Sequence, residues 1–263
     1  MLKKRILTAL VGIPLVMWVV FTGGLPFLIV LGLISILAMR EFFQLARLTG
    51  VMPVDGLGFF GGLLFLLGAY LDIRNYSLLA LSILLVAGIF ILTLKFPNLR
   101  VTDLAVTLVG TIYTAGLLSF VILLKQEDPG GFQYIFWLLA LTWANDTGAY
   151  VTGKIMGKHK LCPSLSPGKT WEGAVGGIAG ALLAAIIIYH WMPVVSPGRV
   201  IVLALLVGIS GQVGDLFESA LKRAAGVKDS GNLLPGHGGM LDRIDSLLLN
   251  GAIVYYYLRW PII

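Results

Sequence analysis

Asp215, Ser219 and Lys222 stand at positions i, i+4 and i+7, a spacing that sets a carboxylate, a hydroxyl and an ammonium on one face of a helix. Such a face can offer its carboxylate to a cation and its ammonium to a phosphate. Glu218 and Arg223 flank it, and Asp242 and Asp245 open the next apolar run. Two carboxylates from different helices, Asp215 and Asp242, set among basic residues, describe a site for Mg2+ and a polyphosphate. Mg2+ is a hard cation held by one or two carboxylates plus phosphate oxygens, while Lys and Arg balance the remaining charge. His237 lies in a glycine-rich turn and is read either as a ligand or base or as a residue that fixes the loop. No Ser-His-Asp or Cys-His arrangement suggests itself.

The chemistry concentrates in Ser219 to Asp245, SALKRAAGVKDSGNLLPGHGGMLDRID, lying between two apolar runs. An ionisable side chain at the centre of a membrane helix costs about 2.5 to 3.5 kcal/mol, so charges at this density need partners or a function. The glycines between Gly226 and Gly239 suit a loop that bends and brings backbone N–H groups close to a ligand. Upstream, TWANDTGAYVTGK carries Asn145 and Asp146 inside an apolar helix, where they need a polar cavity or each other. The segment Gly157 to Gly173, GKHKLCPSLSPGKTWEG, is read as a loop. Its Lys158, His159, Lys160 and Lys169, with the hydroxyls of Ser166 and Thr170, can hold an anion at the start of the following helix. GKT is not a P-loop here, because Pro163 stands where that motif needs glycine.

The elements that position these residues are membrane helices. Of 263 residues, 58% are hydrophobic and 12% charged, about half the charged share of an ordinary soluble domain. The fold class expected is all-α, a polytopic integral membrane protein of about nine transmembrane helices. The spans expected are roughly 6–22, 25–44, 56–71, 76–94, 104–124, 132–152, 173–191, 200–221 and 244–260. MLKKR before the first run resembles a signal peptide, but with no A-x-A site a retained helix is expected. Only Arg74, Lys125, Arg199 and Arg259 of the 19 basic residues fall on the far side of this arrangement. The asymmetry expects a cytoplasmic N-terminus and a polar site facing the cytoplasm, in the cell inner (plasma) membrane. The basic residues flank apolar runs, which points to orientation rather than to nucleic acid. One membrane-embedded domain is expected, with residues 1–133 as a helical scaffold and 134–263 as the catalytic half. In the scaffold, Arg40 and Glu41 end a helix and Asp103 sits near a helix N-terminus. Cys162 is the one cysteine, read as an inert loop thiol.

SALKR, four residues, KDSG, and then LPGHGGMLDRID resemble the signature of the phosphatidate cytidylyltransferases, or CDP-diacylglycerol synthases. The likeness extends to GDLFES, SPGKTWEG and NDTGAY and covers about the C-terminal half of the chain. It implies transfer of a cytidylyl group from CTP to phosphatidate, with Mg2+ and room for a second cation, giving CDP-diacylglycerol and pyrophosphate. It implies metal binding by Asp215 and Asp242 and a catalytic set of Asp215, Lys222, Arg223, Asp242 and Ser219. Lys169, Ser166, Thr170, Lys228, Asp229, His237, Arg243 and Asp146 are the candidate substrate-binding residues. Membrane lipid is an expected partner, nucleic acid is not, and a homodimer is compatible with the sequence. The rival readings are a CTP-dependent lipid kinase, which would share these features, and a secondary transporter with charges at the membrane midplane.

Overall fold

The computed structural model describes residue 12 and residues 14–127, 129–231 and 238–259. The expected span 6–22 lies partly outside them, and its described part is a helix over 14–22, here α1. There follow α2 (Gly24–Leu48), α3 (Asp55–Tyr70), α4 (Tyr76–Lys95), α5 (Val101–Thr111), a π-helical turn (Ile112–Gly116) and α6 (Leu117–Gln126). Then come α7 (Gly131–Met156), strands β1 (Lys160–Cys162) and β2 (Ser166–Thr170), α8 (Trp171–Trp191), α9 (Pro197–Ala224) and α10 (Leu241–Arg259). Each expected span thus has a helical counterpart among the described residues. The loop expected between Gly157 and Gly173 contains more than loop. β1 and β2 pair antiparallel, Lys160 opposite Thr170 and Cys162 opposite Ser166, because the turn at Pro163 folds the chain back on itself.

Five described helices are long and apolar enough to cross a membrane: Gly24–Leu48, Tyr76–Lys95, the run Val101–Gln126, Trp171–Trp191 and Pro197–Ala224. α3 is apolar but has only 16 residues, short of the roughly 20 that cross a bilayer upright. The pattern of burial is that of a protein in lipid. α4 buries only Ala80, Leu84 and Gly88, while Leu78, Val86, Phe90 and Leu94 face outward. α8 buries Gly173, Gly177, Ala181 and Ala185 and leaves Leu183, Ile186 and Ile187 exposed. Small residues at four-residue spacing let helices approach closely, and the large apolar residues are left for the hydrocarbon.

The chain folds as two compact units. One contains the described residues up to Gln126 together with Leu221–Arg243; the other contains Glu127–Ala220 and the described residues from Ile244 onward. In the first unit α2, α3, α5 and α6 pack together. Asp103 joins two segments there, accepting from the Met52 N–H at 2.8 Å and, as a helix-start cap, from the Arg100 N–H at 2.9 Å. Thr107 and Thr111 turn their hydroxyls back on the carbonyls of Asp103 and Thr107, which satisfies both hydroxyls inside this apolar run.

In the second unit α7 lies along α8. A Cβ at Gly180 would come within 2.7 Å of the Ala144 carbonyl oxygen, and one at Gly177 within 2.9 Å of the Asn145 carbonyl. Glycine is needed there because backbone meets backbone. Asn250 of α10 donates to the Thr142 hydroxyl of α7 at 2.9 Å, both buried, a bond favoured where no water competes.

Candidate functional site

β2 and the start of α8 set out the first group of side chains. Ser166, Lys169 and Thr170 all lie on β2. Thr170 is also the N-cap of α8, its hydroxyl accepting from the Gly173 N–H at 3.1 Å, which satisfies one of the orphan donors of a helix start. Glu172 in the first turn accepts from the backbone N–H groups of Lys158 and His159 at 3.1 and 3.2 Å and pairs with His159 Nδ1 at 2.6 Å. It fastens the approach to the ribbon.

Lys169 then reaches α9, its Nζ 2.8 Å from Asp215 Oδ2. Asp215, Glu218 and Asp245 each bring a carboxylate oxygen within 4.8 Å of the others. Asp245 also accepts from the Ser246 N–H at 2.7 Å. α10 comes this close to α9 because residue 214 is glycine: a Cβ there would stand 2.6 Å from the Asp245 carbonyl oxygen. A cavity of about 340 Å³ adjoins the cluster, lined by Asn145, Asp146, Lys169, Thr170, Gln212 and Asp215 among others. Gln212 holds its wall, donating to Asn145 Oδ1 at 3.3 Å and to the Ala174 carbonyl at 2.9 Å. Carboxylate oxygens gathered in this way are the donors a hard divalent cation takes. The cluster is therefore able to hold one, and the ammonium beside it is a partner for an anion.

The first unit holds a different arrangement. Lys222 donates to Asp242 Oδ1 at 2.6 Å, with both side chains largely buried. Asp242 Oδ2 accepts from the Ser230 N–H at 3.0 Å, the Ser230 hydroxyl at 2.9 Å and the Gly239 N–H at 2.8 Å. One carboxylate thereby ties together the end of α9, the KDSG segment and the start of α10. α9 stops before it because Gly226, at φ 71°, lets the Gly226 and Val227 N–H groups turn back to the carbonyls of Arg223 and Lys222.

The expected residues divide between these two groups. Asp215, Lys169, Thr170 and Asp146 lie around the cavity of the second unit, and Ser219 is buried on α9 in the same unit. Lys222 and Asp242 form an ion pair in the first unit. Arg223 donates to the Val227 carbonyl at 2.9 Å, and Lys228, Asp229 and Arg243 are exposed. His237 lies outside the described residues.

Three carboxylates stand outside the catalytic and substrate-binding sets expected from sequence. Glu218 and Asp245 complete the acidic cluster, and Glu41 of α2, buried at 6% exposure, accepts from Ser230 Oγ at 3.0 Å and from the Met240 and Leu241 N–H groups at 2.8 Å each. The cost of a carboxylate in an apolar helix was the signal available for Glu41; its partners, some 190 positions downstream, have no signature in local spacing.

The chain matches the cytidylyltransferase family over residues 3–260, and it belongs to that family. Among curated proteins it is 35% identical to the phosphatidate cytidylyltransferase of Brucella suis over 97% of this chain and 93% of that protein. It is 34% identical to the phosphatidate cytidylyltransferase of Bacillus subtilis, covering 98% and 97% of the two chains, and 33% identical to that of Staphylococcus aureus, covering 94% and 95%.

Proposed function

We propose that this protein is a phosphatidate cytidylyltransferase: it transfers CMP from CTP to phosphatidate, giving CDP-diacylglycerol and pyrophosphate for phospholipid synthesis. The observation that carries the reading is a carboxylate cluster with a paired lysine beside a polar cavity, in a chain of this family with near-full-length relatives of that name.

In the reaction a phosphate oxygen of phosphatidate forms a bond to the α-phosphorus of CTP while the bond from that phosphorus to the β-phosphate bridging oxygen breaks. Pyrophosphate leaves with the electron pair. Phosphatidate is already ionised at neutral pH, so the protein needs no strong base, and positioning with charge balance supplies the catalysis. Asp215, with Glu218 and Asp245 beside it, would hold Mg2+. A bound divalent cation there offsets the charge of phosphate oxygens. Asp242, paired with Asp215 as a ligand by resemblance, has its oxygens on Lys222, Ser230 and Gly239, and we assign it to orienting the Lys222 ammonium and the loop. Lys169, Lys222, Arg223 and Lys228 are assigned to phosphate charge. Ser166, Thr170 and Ser219 orient oxygens, and Asp146 lines the cavity for the polar head of a substrate. Asp229, His237 and Arg243 are assigned to the substrate-binding loop. The charge asymmetry of the loops supports a cytoplasmic N-terminus and a cytoplasm-facing site in the inner (plasma) membrane.

The test is product analysis on purified protein in detergent with CTP, phosphatidate and Mg2+. Pyrophosphate and a CDP-lipid in equal amounts are expected, both lost in excess chelator. CDP with a phosphorylated lipid would replace this reading by the lipid kinase, and substrate flux into proteoliposomes without CTP turnover by the transporter.

A further inference from the structure

Glu41 stands outside the signature stretch, yet its carboxylate is built into it. Both oxygens are used: Oε1 accepts from the Met240 N–H, and Oε2 from the Leu241 N–H and the Ser230 hydroxyl. Met240 and Leu241 present the first free amides of α10, where the helix dipole favours a negative charge. The Ser230 hydroxyl lies within 3.0 Å of Glu41 Oε2 and 2.9 Å of Asp242 Oδ2. Having one hydrogen, it can donate to only one of them at a time. Glu41 and Asp242 are therefore fixed through a shared hydroxyl and through consecutive amides at the start of one helix.

A second observation is independent of these bonds. The three atoms nearest to a Cβ built on Gly231 would all belong to Glu41, Oε1 at 2.6 Å and Cδ at 3.0 Å among them. A Cβ on Gly239 would stand 2.6 Å from Glu41 Cδ. Two backbone N–H bonds, the Ser230 contact and near-complete burial keep the Glu41 carboxylate from swinging aside. Two glycines of the signature, one in KDSG and one in GHGG, are thus places where the loop backbone closes on a side chain from α2.

We infer that Glu41 is a positioning residue for the transfer reaction, acting through Ser230 and the α10 N-terminus to set the Lys222–Asp242 pair; the inference rests on the function proposed above. Glu41→Gln keeps the shape but turns an NH2 group toward a backbone N–H. The loop shifts, and because small misplacements of catalytic groups reduce turnover steeply, kcat is expected to fall about tenfold with the KM for CTP changed by less than about twofold.

The experiment measures pyrophosphate release and the thermal unfolding midpoint of wild type, Glu41→Gln, Glu41→Ala, Gly231→Ala and the Glu41→Ala/Gly231→Ala double variant in one detergent. Gly231→Ala is expected to lower kcat about tenfold in the wild-type background and by less than about twofold beside Glu41→Ala, since the nearest atoms it meets are then gone. A folded Glu41→Gln with wild-type kcat, or an equal Gly231→Ala loss in both backgrounds, overturns the positioning role while leaving the proposed reaction standing. If the Glu41 variants do not fold, Gly231→Ala alone decides: a folded variant with reduced kcat supports the role, and one with unchanged kcat overturns it. A wild type that releases no pyrophosphate overturns both the reaction and the role.

Discussion

The two carboxylate groups of this protein differ in what surrounds them. Asp242 and Glu41 are each met by several protein donors, backbone amides above all, and the Asp242 side chain is 8% exposed. Asp215, Glu218 and Asp245 are drawn together on two helices, and Asp215, at 40% side-chain exposure, pairs with Lys169 beside a cavity. A carboxylate whose oxygens are filled by protein donors is suited to holding structure; carboxylates gathered against one another repel when ionised, and a cation among them relieves that repulsion. This difference supports the proposed division, in which one group builds a loop and the other binds a cation.

That contrast is open to attack from both sides. The largest effect expected is on activity at the cluster: Asp215→Asn should reduce pyrophosphate release on the order of 10³-fold. The same change should alter the unfolding free energy by no more than about 1 kcal/mol, since an ion pair this exposed contributes little to stability. Asp242→Ala should do the reverse in kind, destabilising the protein by about 3 kcal/mol by leaving the Lys222 ammonium buried without its carboxylate, read as a lowered unfolding midpoint in detergent. If Asp242→Ala unfolds like wild type while Asp215→Asn is strongly destabilised, the assignment of the two groups is inverted.

Lys169→Met should reduce kcat/KM for CTP about a hundredfold, the loss of one donor to a developing anion. An unchanged kcat/KM would confine Lys169 to its pair with Asp215. The smallest effect is expected at the N-cap of α8, where Thr170→Ala should cost about 1 kcal/mol of stability. A much larger loss of turnover than of stability in that variant would move Thr170 from capping to substrate contact.

How far the sequence reached follows from the same physics. The helices are legible because a bilayer demands long apolar runs and charge breaks them, and α7 is legible as a helix whose Asn145 and Asp146 need a polar cavity or each other. The ribbon Lys160–Thr170 was read as loop, since a three-residue strand paired with a five-residue one carries too short an alternation to stand out from the glycines and prolines around it. Within the site, Asp215 and Lys222 were legible from helical spacing, and the signature loop from its charge density. The joining of Glu218 and Asp245 to Asp215 is not legible locally, because the approach of α9 to α10 depends on Gly214, whose meaning is tertiary. Glu41 was placed in the scaffold for the same reason: its three partners come from residues 230, 240 and 241.

The most direct test of the division between binding and holding is Mn2+ binding, followed by electron paramagnetic resonance on the purified protein with and without CTP. Wild type and Glu41→Gln should bind the ion with affinities within about threefold of each other, and Asp215→Asn and Asp245→Asn should lose at least tenfold, the change expected when one carboxylate of an oxygen-only site is removed. Full affinity in Asp215→Asn together with loss of binding in Glu41→Gln would contradict the account and move the cation to the carboxylates assigned here to the loop.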